Sequence, residues 1–333
     1  MQGYVNGKDL KSVFIDVAGL FKNYEQAKVI GISTARDSLT ISVDAGTRYV
    51  RKIDFDVKKD PINITVPVMF VDLSSFISSY EQVEIEITEF YVVLHTKDSD
   101  LTMNIGHSVI KPYEPVGGES TRLNFDELRR ALKIFRGTND IQRNYQKEFS
   151  VEIRNGYATM WTPSIWIRTQ VSNLNCVLTV DQLRSIVSFM PEYVDMSPGR
   201  MEFKKKNAML VIPTVMPVRG KEFDNLTADM KQVSRLDMSG VIKDLTNIKR
   251  SLGISNATIT LYQVGFKIEV TKNQVTIKKE CNVSGDYVGS YNFMLDIFIS
   301  CLSLFGEEAV IDVGAKEGLL CLSNQDISIL LSA

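Results

Sequence analysis

Arg129, Lys133 and Arg136 recur at i, i+4 and i+7, a spacing that gathers three cations on one face of a helix. The chemistry open to such a face is electrostatic. It attracts a polyanion, or it is simply the solvated side of a surface helix. Residues for covalent chemistry are sparse. Only two histidines occur, His95 and His107, both in or beside strand-like stretches where a lone histidine is usually structural. The four cysteines, Cys176, Cys281, Cys301 and Cys321, form no CxxC pair and lie far apart, so they read as reduced, mostly buried thiols of a cytoplasmic protein. No His/Cys/Asp group has metal-ligand spacing, and GxSxG and Walker A loops are missing. Acidic pairs such as Asp98 and Asp100 fall in turn-like segments, where solvated charge is the default. The expectation is therefore no catalytic residue, no metal and no cofactor.

The elements that would position the cations belong to a pattern repeated six times. Each copy has a few alternating strand-like residues, an amphipathic helix of about three turns, then two or three strands separated by turn signals. The copies span 8–57, 62–105, 122–169, 176–216, 234–282 and 288–332. In the third, Asp126 is a plausible N-cap, Leu128, Leu132 and Phe135 form the apolar face, and Asn155-Gly156 predicts a two-residue hairpin turn. In the fourth, Leu183, Ile186, Val187 and Met190 are expected on the buried face, and Pro191 stops the helix. A Lys204-Lys-Lys-Asn turn follows; its lysines read as a soluble hairpin tip. The fifth continues into three separate strands near 257–261, 266–270 and 274–278. Each helix also carries a polar stripe, such as Asp72, Ser75 and Ser79, or Asp296, Ser300 and Ser303. One helix on a sheet needs no more than solvation to explain this. Six arranged alike would line one common surface.

With 333 residues, 44% hydrophobic and 23% charged, the chain has room for two or three domains of an ordinary soluble protein. A net charge of −2 excludes a uniformly basic nucleic-acid binder but not a local basic surface. The start, Met1-Gln-Gly-Tyr-Val, lacks the charged and apolar regions of a targeting peptide. The longest apolar stretch, 293–305, is interrupted by Asp296 and is too short to span a bilayer, so no membrane role is expected. Pairing the copies predicts an α+β chain of three similar domains, 1–112, 118–222 and 230–333, each of two strand–helix–strand units. The stretch 111–119 and the turn-rich 217–231 read as linkers.

Three domains, each with an internally duplicated strand–helix–strand unit, resemble the bacterial type of DNA sliding clamp, the polymerase processivity ring. The resemblance covers nearly the whole chain and is one of architecture. Locally, Leu39-Thr-Ile-Ser-Val-Asp-Ala-Gly-Thr-Arg-Tyr-Val-Arg-Lys-Ile is similar to the family's first-domain hairpin. Asp140-Ile-Gln-Arg-Asn-Tyr is similar to a loop at the second domain's channel mouth. The chain is shorter than the family's members, its second linker is atypical and its helix charge is weak, which marks a divergent member.

The resemblance implies a DNA-clamp fold with helices lining a ring channel. Closed rings of the family hold twelve half-domain units, so six per chain implies a head-to-tail homodimer. Its partners would be duplex DNA held without sequence preference, a DNA polymerase and a separate ATP-dependent clamp loader, in the cytoplasm (the host's, were the chain viral). The six helix windows 8–22, 68–80, 126–136, 180–190, 239–250 and 292–305 hold 11 Lys/Arg and 8 Asp/Glu, net +3 against −5 for the rest. The sign suits a DNA-facing lining. Expected DNA-facing residues are Lys8, Lys11, Lys22, Arg129, Arg130, Lys133, Arg136, Arg184, Lys243, Lys249 and Arg250, with Arg143, Tyr145 and Lys147 on the loop after the third helix.

The family's groove for partner peptides would match Trp161, Thr162, Ser164, Pro217, Val218, Ile329, Leu330 and Leu331. For 329–331 the competing reading is the last core strand. At the dimer interface, Leu101 and Met103 would meet Leu252 and Ile254 of the second copy. Two other classes remain beside the clamp: a ring-forming virion or tail protein, and a clamp-like scaffold that does not encircle DNA.

Overall fold

A computed structural model describes residues 1–21, 29–35, 37–57, 62–67, 75–77, 82–106, 120–138, 141, 150–214, 223–253 and 256–332. Its helices are α1 (Gly7–Phe21), α2 (Phe125–Gly137), α3 (Val180–Phe189), α4 (Phe223–Thr227), α5 (Val241–Leu252) and α6 (Leu295–Ser303). Five of them occupy expected windows. The remaining window, 68–80, lies outside the described residues apart from 75–77. The short α4 falls in the second expected linker and carries no periodic signal. None of these helices is long and apolar enough to cross a membrane.

Local physics explains the helices. In α2 the side chains of Leu128, Ala131, Leu132 and Phe135 are buried at helical spacing, with acids in the first turn and Arg136 in the last, as the helix dipole favours. Asp126 stands within that first turn rather than capping it. In α3, Leu183, Ile186 and Phe189 are buried, whereas Met190 is 52% exposed. Met190 is not on the buried face because Pro191 forbids another helical turn. The chain leaves the helix there at φ 53°, with the Met190 N–H still donating to the Ile186 carbonyl at 3.1 Å.

Among the described residues, three sheets carry the helices. A five-stranded one has the order Asp56–Val57, Gln2–Asn6, Gln82–Ile87, Tyr91–His95, Asp100–Asn104. An eight-stranded one runs Thr121–Arg122, Tyr193–Ser197, Arg200–Lys205, Ala208–Pro213, Arg48–Asp54, Ser38–Asp44, Val29–Ala35, Asn63–Pro67. The ten-stranded sheet runs Cys176–Thr179, Ser150–Arg154, Tyr157–Trp161, Ile165–Gln170, Ile327–Ser332, Leu319–Ser323, Val310–Lys316, Lys231–Asp237, Asn256–Lys272, Val275–Met294. The Asn155-Gly156 turn forms as expected, with φ of 53° and 82°, closing Arg154 against Tyr157. The strands expected after α5 are instead fused into one long hairpin, and its register slips repeatedly between Leu261 and Phe266. Bulges there let the ladder bend without ending.

The chain forms two compact units, Met1–Phe125 with Asp181–Val215, and Asp126–Val180 with Met216–Ala333. The expected middle domain supplies strands to both. In the first unit its strand Ala208–Pro213 pairs with Arg48–Asp54, and in the second its strand Ile165–Gln170 pairs with Ile327–Ser332. The first unit's core holds the wholly buried rings of Phe21, Tyr49, Phe55, Phe189 and Phe203. In the second, Phe266 meets Phe298 edge-on at 6.1 Å, and Phe293 stacks on Phe298 at 5.9 Å.

Candidate functional site

The outward faces of the helices keep several cations exposed and turn several acids away. On α2, Arg129, Lys133 and Arg136 are all exposed, opposite the buried stripe. Arg130 is drawn aside into an ion pair with Asp326 at 2.6 Å. On α5, Lys243 and Arg250 are exposed, while the acid of the first turn, Asp244, pairs with Lys279 of the neighbouring hairpin at 2.9 Å. Lys249 reaches Asp296 of α6 at 3.2 Å and neutralises it. These helices are neighbours. The ion pair joins α5 to α6, and Gly137 at the end of α2 lies against Leu304, so closely that a Cβ would stand 2.7 Å from its side chain.

In the first unit, α1 exposes Lys8 and half-buries Lys11. Asp16 of α1 turns inward, 3.3 Å from Arg51, and accepts a hydrogen bond from Tyr49. Arg184 of α3 pairs with Asp181 one turn earlier at 2.7 Å, which leaves it a weak contributor of positive potential. Lys22, Arg143, Tyr145 and Lys147 lie outside the described residues. Periodicity could not reveal which acids fold away, because their partners are remote in sequence.

The expected peptide groove divides. Trp161 lines a cleft on the face of its sheet opposite the buried Ala158 and Met160, together with Tyr157, Trp166, Arg168 and Phe223. A neighbouring cleft of about 400 Å³ shares Tyr157, Arg168, Phe223 and Asp224 and extends to 324–328. Thr162 does not face the cleft. It is buried, and its Oγ1 accepts the N–H groups of Ser164 and Ile165 at 3.3 and 2.9 Å, shaping the turn between two strands. Ser164 offers its carbonyl to the Ser332 N–H at 2.9 Å. Ile329, Leu330 and Leu331 are all buried in the last strand and present no exposed wall. Leu330 stands opposite Trp166, on the same face of the sheet as the cleft. Pro217 and Val218 lie outside the described residues.

Arg168 is the residue at this cleft that sequence reasoning missed. Its guanidinium lies 3.6 Å from the centre of the Tyr157 ring and 5.1 Å from that of Phe223, and it pairs with Asp224. A Tyr and an Arg on neighbouring strands were visible in the sequence. The third and fourth partners come from the linker, which has no pattern to betray them.

The residues expected at a dimer interface lie in part at a sheet edge. Leu101 and Met103 are half-buried in the edge strand Asp100–Asn104. Leu252 ends α5 half-buried, and Ile254 lies outside the described residues. The ten-stranded sheet ends on the largely exposed strand Val275–Met294. Beside the first edge, His95 bonds Asp100 at 2.8 Å and Glu86 at 3.3 Å, and the bond to Asp100 raises its pKa above the usual imidazole value. The cysteines are all free thiols. Burial pushes Cys176 and Cys301 up to about 12 and, as the main cause, Cys281 and Cys321 up to about 11, which makes them poor nucleophiles.

No family model and no curated protein sequence matches the chain. Solved structures do. A Helicobacter pylori β clamp in complex with 5-chloroisatin superposes with a TM-score of 0.73 at 13% identity, covering 100% of this chain and 99% of that one. The DNA polymerase III subunit beta of Pseudomonas aeruginosa gives 0.72 at 14% identity with the same coverage. A Helicobacter pylori β clamp bound to a DNA ligase peptide gives 0.67 at 14% identity over the same shares. The chain therefore has the α+β fold of bacterial β clamps from end to end.

Proposed function

We propose that this chain is a DNA sliding clamp: a non-catalytic ring that encircles duplex DNA and tethers a polymerase to its template. A shared fold does not by itself carry a function, so the proposal rests on a site. The observation that carries it is the polarity of the helix faces. Arg129, Lys133, Arg136, Lys243 and Arg250 stand exposed while Asp244 and Asp296 of the same unit's helices are engaged in ion pairs. A diffuse positive face of this kind suits phosphates and reads no base, which sliding requires.

In this reading each chain has three domains, 1–112, 118–222 and 230–333, and two copies meet head to tail. The edge strand with Leu101 and Met103 would add to the edge strand Val275–Met294 of the second copy, at the interface expected for Leu252 and Ile254, so these two edges would be paired. An ATP-dependent loader would open the ring, and the cleft at Trp161 would receive a linear segment of the polymerase or loader. The clamp-like fold of the ligase-peptide complex supports that last assignment. The chain would act in the cytoplasm.

The test joins mass and topology. Sedimentation should give twice the chain mass of 37.5 kDa. Protein loaded on nicked circular plasmid should co-elute with it and be shed when the plasmid is linearised. A monomer, or equal retention on circles and linear DNA, would overturn the proposal and leave a tail-type ring or a scaffold in its place.

A further inference from the structure

Arg168 is 12% exposed although its guanidinium is permanently charged, so its surroundings must replace water. Tyr157 supplies a ring on one side. The rest comes from α4, whose first two residues, Phe223 and Asp224, bring a second ring and a carboxylate that takes both terminal nitrogens, Nη2 at 3.4 Å. Yet α4 buries none of its residues, and Asp224 is 67% exposed. The helix is thus held at this point by one aromatic–acidic pair laid on a cationic platform. The pair also leaves a donor unused. Arg168 Nε is buried without a hydrogen-bond partner among the described residues.

We propose that the Tyr157–Arg168 platform is a binding site for consecutive aromatic and acidic residues in a partner protein's linear segment, and that Phe223-Asp224 is the chain's own occupant. This deepens the groove assignment above and rests on it. The chemistry of the platform selects a ring for the guanidinium face and a carboxylate for its fork. A longer ligand can add a backbone carbonyl to the unused Nε, which the resident pair does not reach, and can run on into the neighbouring cleft towards 324–328. The resident therefore competes with the partner, and the apparent affinity is reduced by the fraction of time the platform is self-occupied.

The probe is a fluorescein-labelled Gly/Ser peptide with a central Phe-Asp pair, its control carrying Ala-Asn, followed by anisotropy on the full-length chain. The Phe-Asp peptide should bind and the control should not. The double variant Phe223→Ala/Asp224→Asn should bind the probe about tenfold more tightly, because self-occupancy is gone. Arg168→Ala should bind it about tenfold more weakly, and Arg168→Lys should not restore binding, since lysine keeps the charge and loses the planar fork. The double variant lies on an exposed helix, so it decides the matter even where Arg168→Ala fails to fold. No binding to the double variant, binding no tighter than to the wild type, or equal binding of the control would each overturn the proposal. Failure of the clamp reading shows separately, in the plasmid assay on the unaltered chain.

Discussion

Tyr49 donates its phenolic hydrogen to Asp16 Oδ2 at 3.1 Å from a ring that is completely buried. The same ring meets Phe189 edge-on at 6.2 Å, so one side chain ties α1 and α3 to the strand where Arg48–Asp54 joins Ala208–Pro213. Burial first, and then the charge of Asp16, hold the phenol far above its ordinary pKa. Tyr49→Phe keeps the packing and removes the bond. It should cost about 1.5–3 kcal/mol, the range for a hydrogen bond to a charged group. Urea unfolding would show this as a lower midpoint at constant slope, and a loss under about 0.5 kcal/mol would refute the importance of the pair.

The α2 face makes a sharper claim about DNA. Changing Arg129, Lys133 and Arg136 together to Ala should leave the chain folded, because exposed substitutions cost about 0.5 kcal/mol or less each. Loading on circular plasmid should weaken, and the plot of log affinity against log salt should flatten by about 0.9 for each phosphate that is no longer neutralised. An unchanged slope would mean that this face does not meet DNA.

His95 predicts a pH dependence with a definite sign. Its folded pKa is raised, chiefly by the bond to Asp100, so its stabilising contribution is complete below the unfolded value of about 6.5 and disappears as pH climbs through the folded value. Between pH 6 and 8 the five-stranded sheet should therefore lose protection, seen as faster amide exchange along Asp100–Asn104. His95→Gln should remove that dependence. Exchange that stays flat in the wild type over this range would sink the prediction.

Gly265 is where the long hairpin cannot accept a side chain. It has φ +77°, and a Cβ there would lie 2.2 Å from the Cys281 carbonyl oxygen. Gly46 has nearly the same φ, +78°, with open space around it. Gly46→Ala should cost about 1 kcal/mol of backbone strain, and Gly265→Ala at least about 3 kcal/mol, since backbone must also move. Comparable losses at the two sites would show that the close approach at Gly265 is relieved without cost.

Short-range patterns were legible from the residues alone. The 3.6-residue recurrence of Leu128, Leu132 and Phe135 marks α2 and its buried side, and Asn155-Gly156 marks a turn, because helix and hairpin formation depend on neighbours within a few positions. Sixfold recurrence of such units was enough to suggest the clamp fold, which comparison with solved structures supports at 12–14% identity. What depends on distant partners was not legible. Asp16 turns from the outer face of α1 because Arg51 and Tyr49 sit across from it, and the register that sets Leu330 opposite Trp166 joins strands far apart in the sequence.

Alternation and periodicity thus determined which faces are apolar, since those depend on the chain's own geometry. Tertiary structure alone decided which charges remain outside and which are cancelled. An ion pair forms only where folding brings two side chains within a few ångströms, as Lys249 and Asp296 or Arg168 and Asp224 are brought, and no local pattern encodes that meeting.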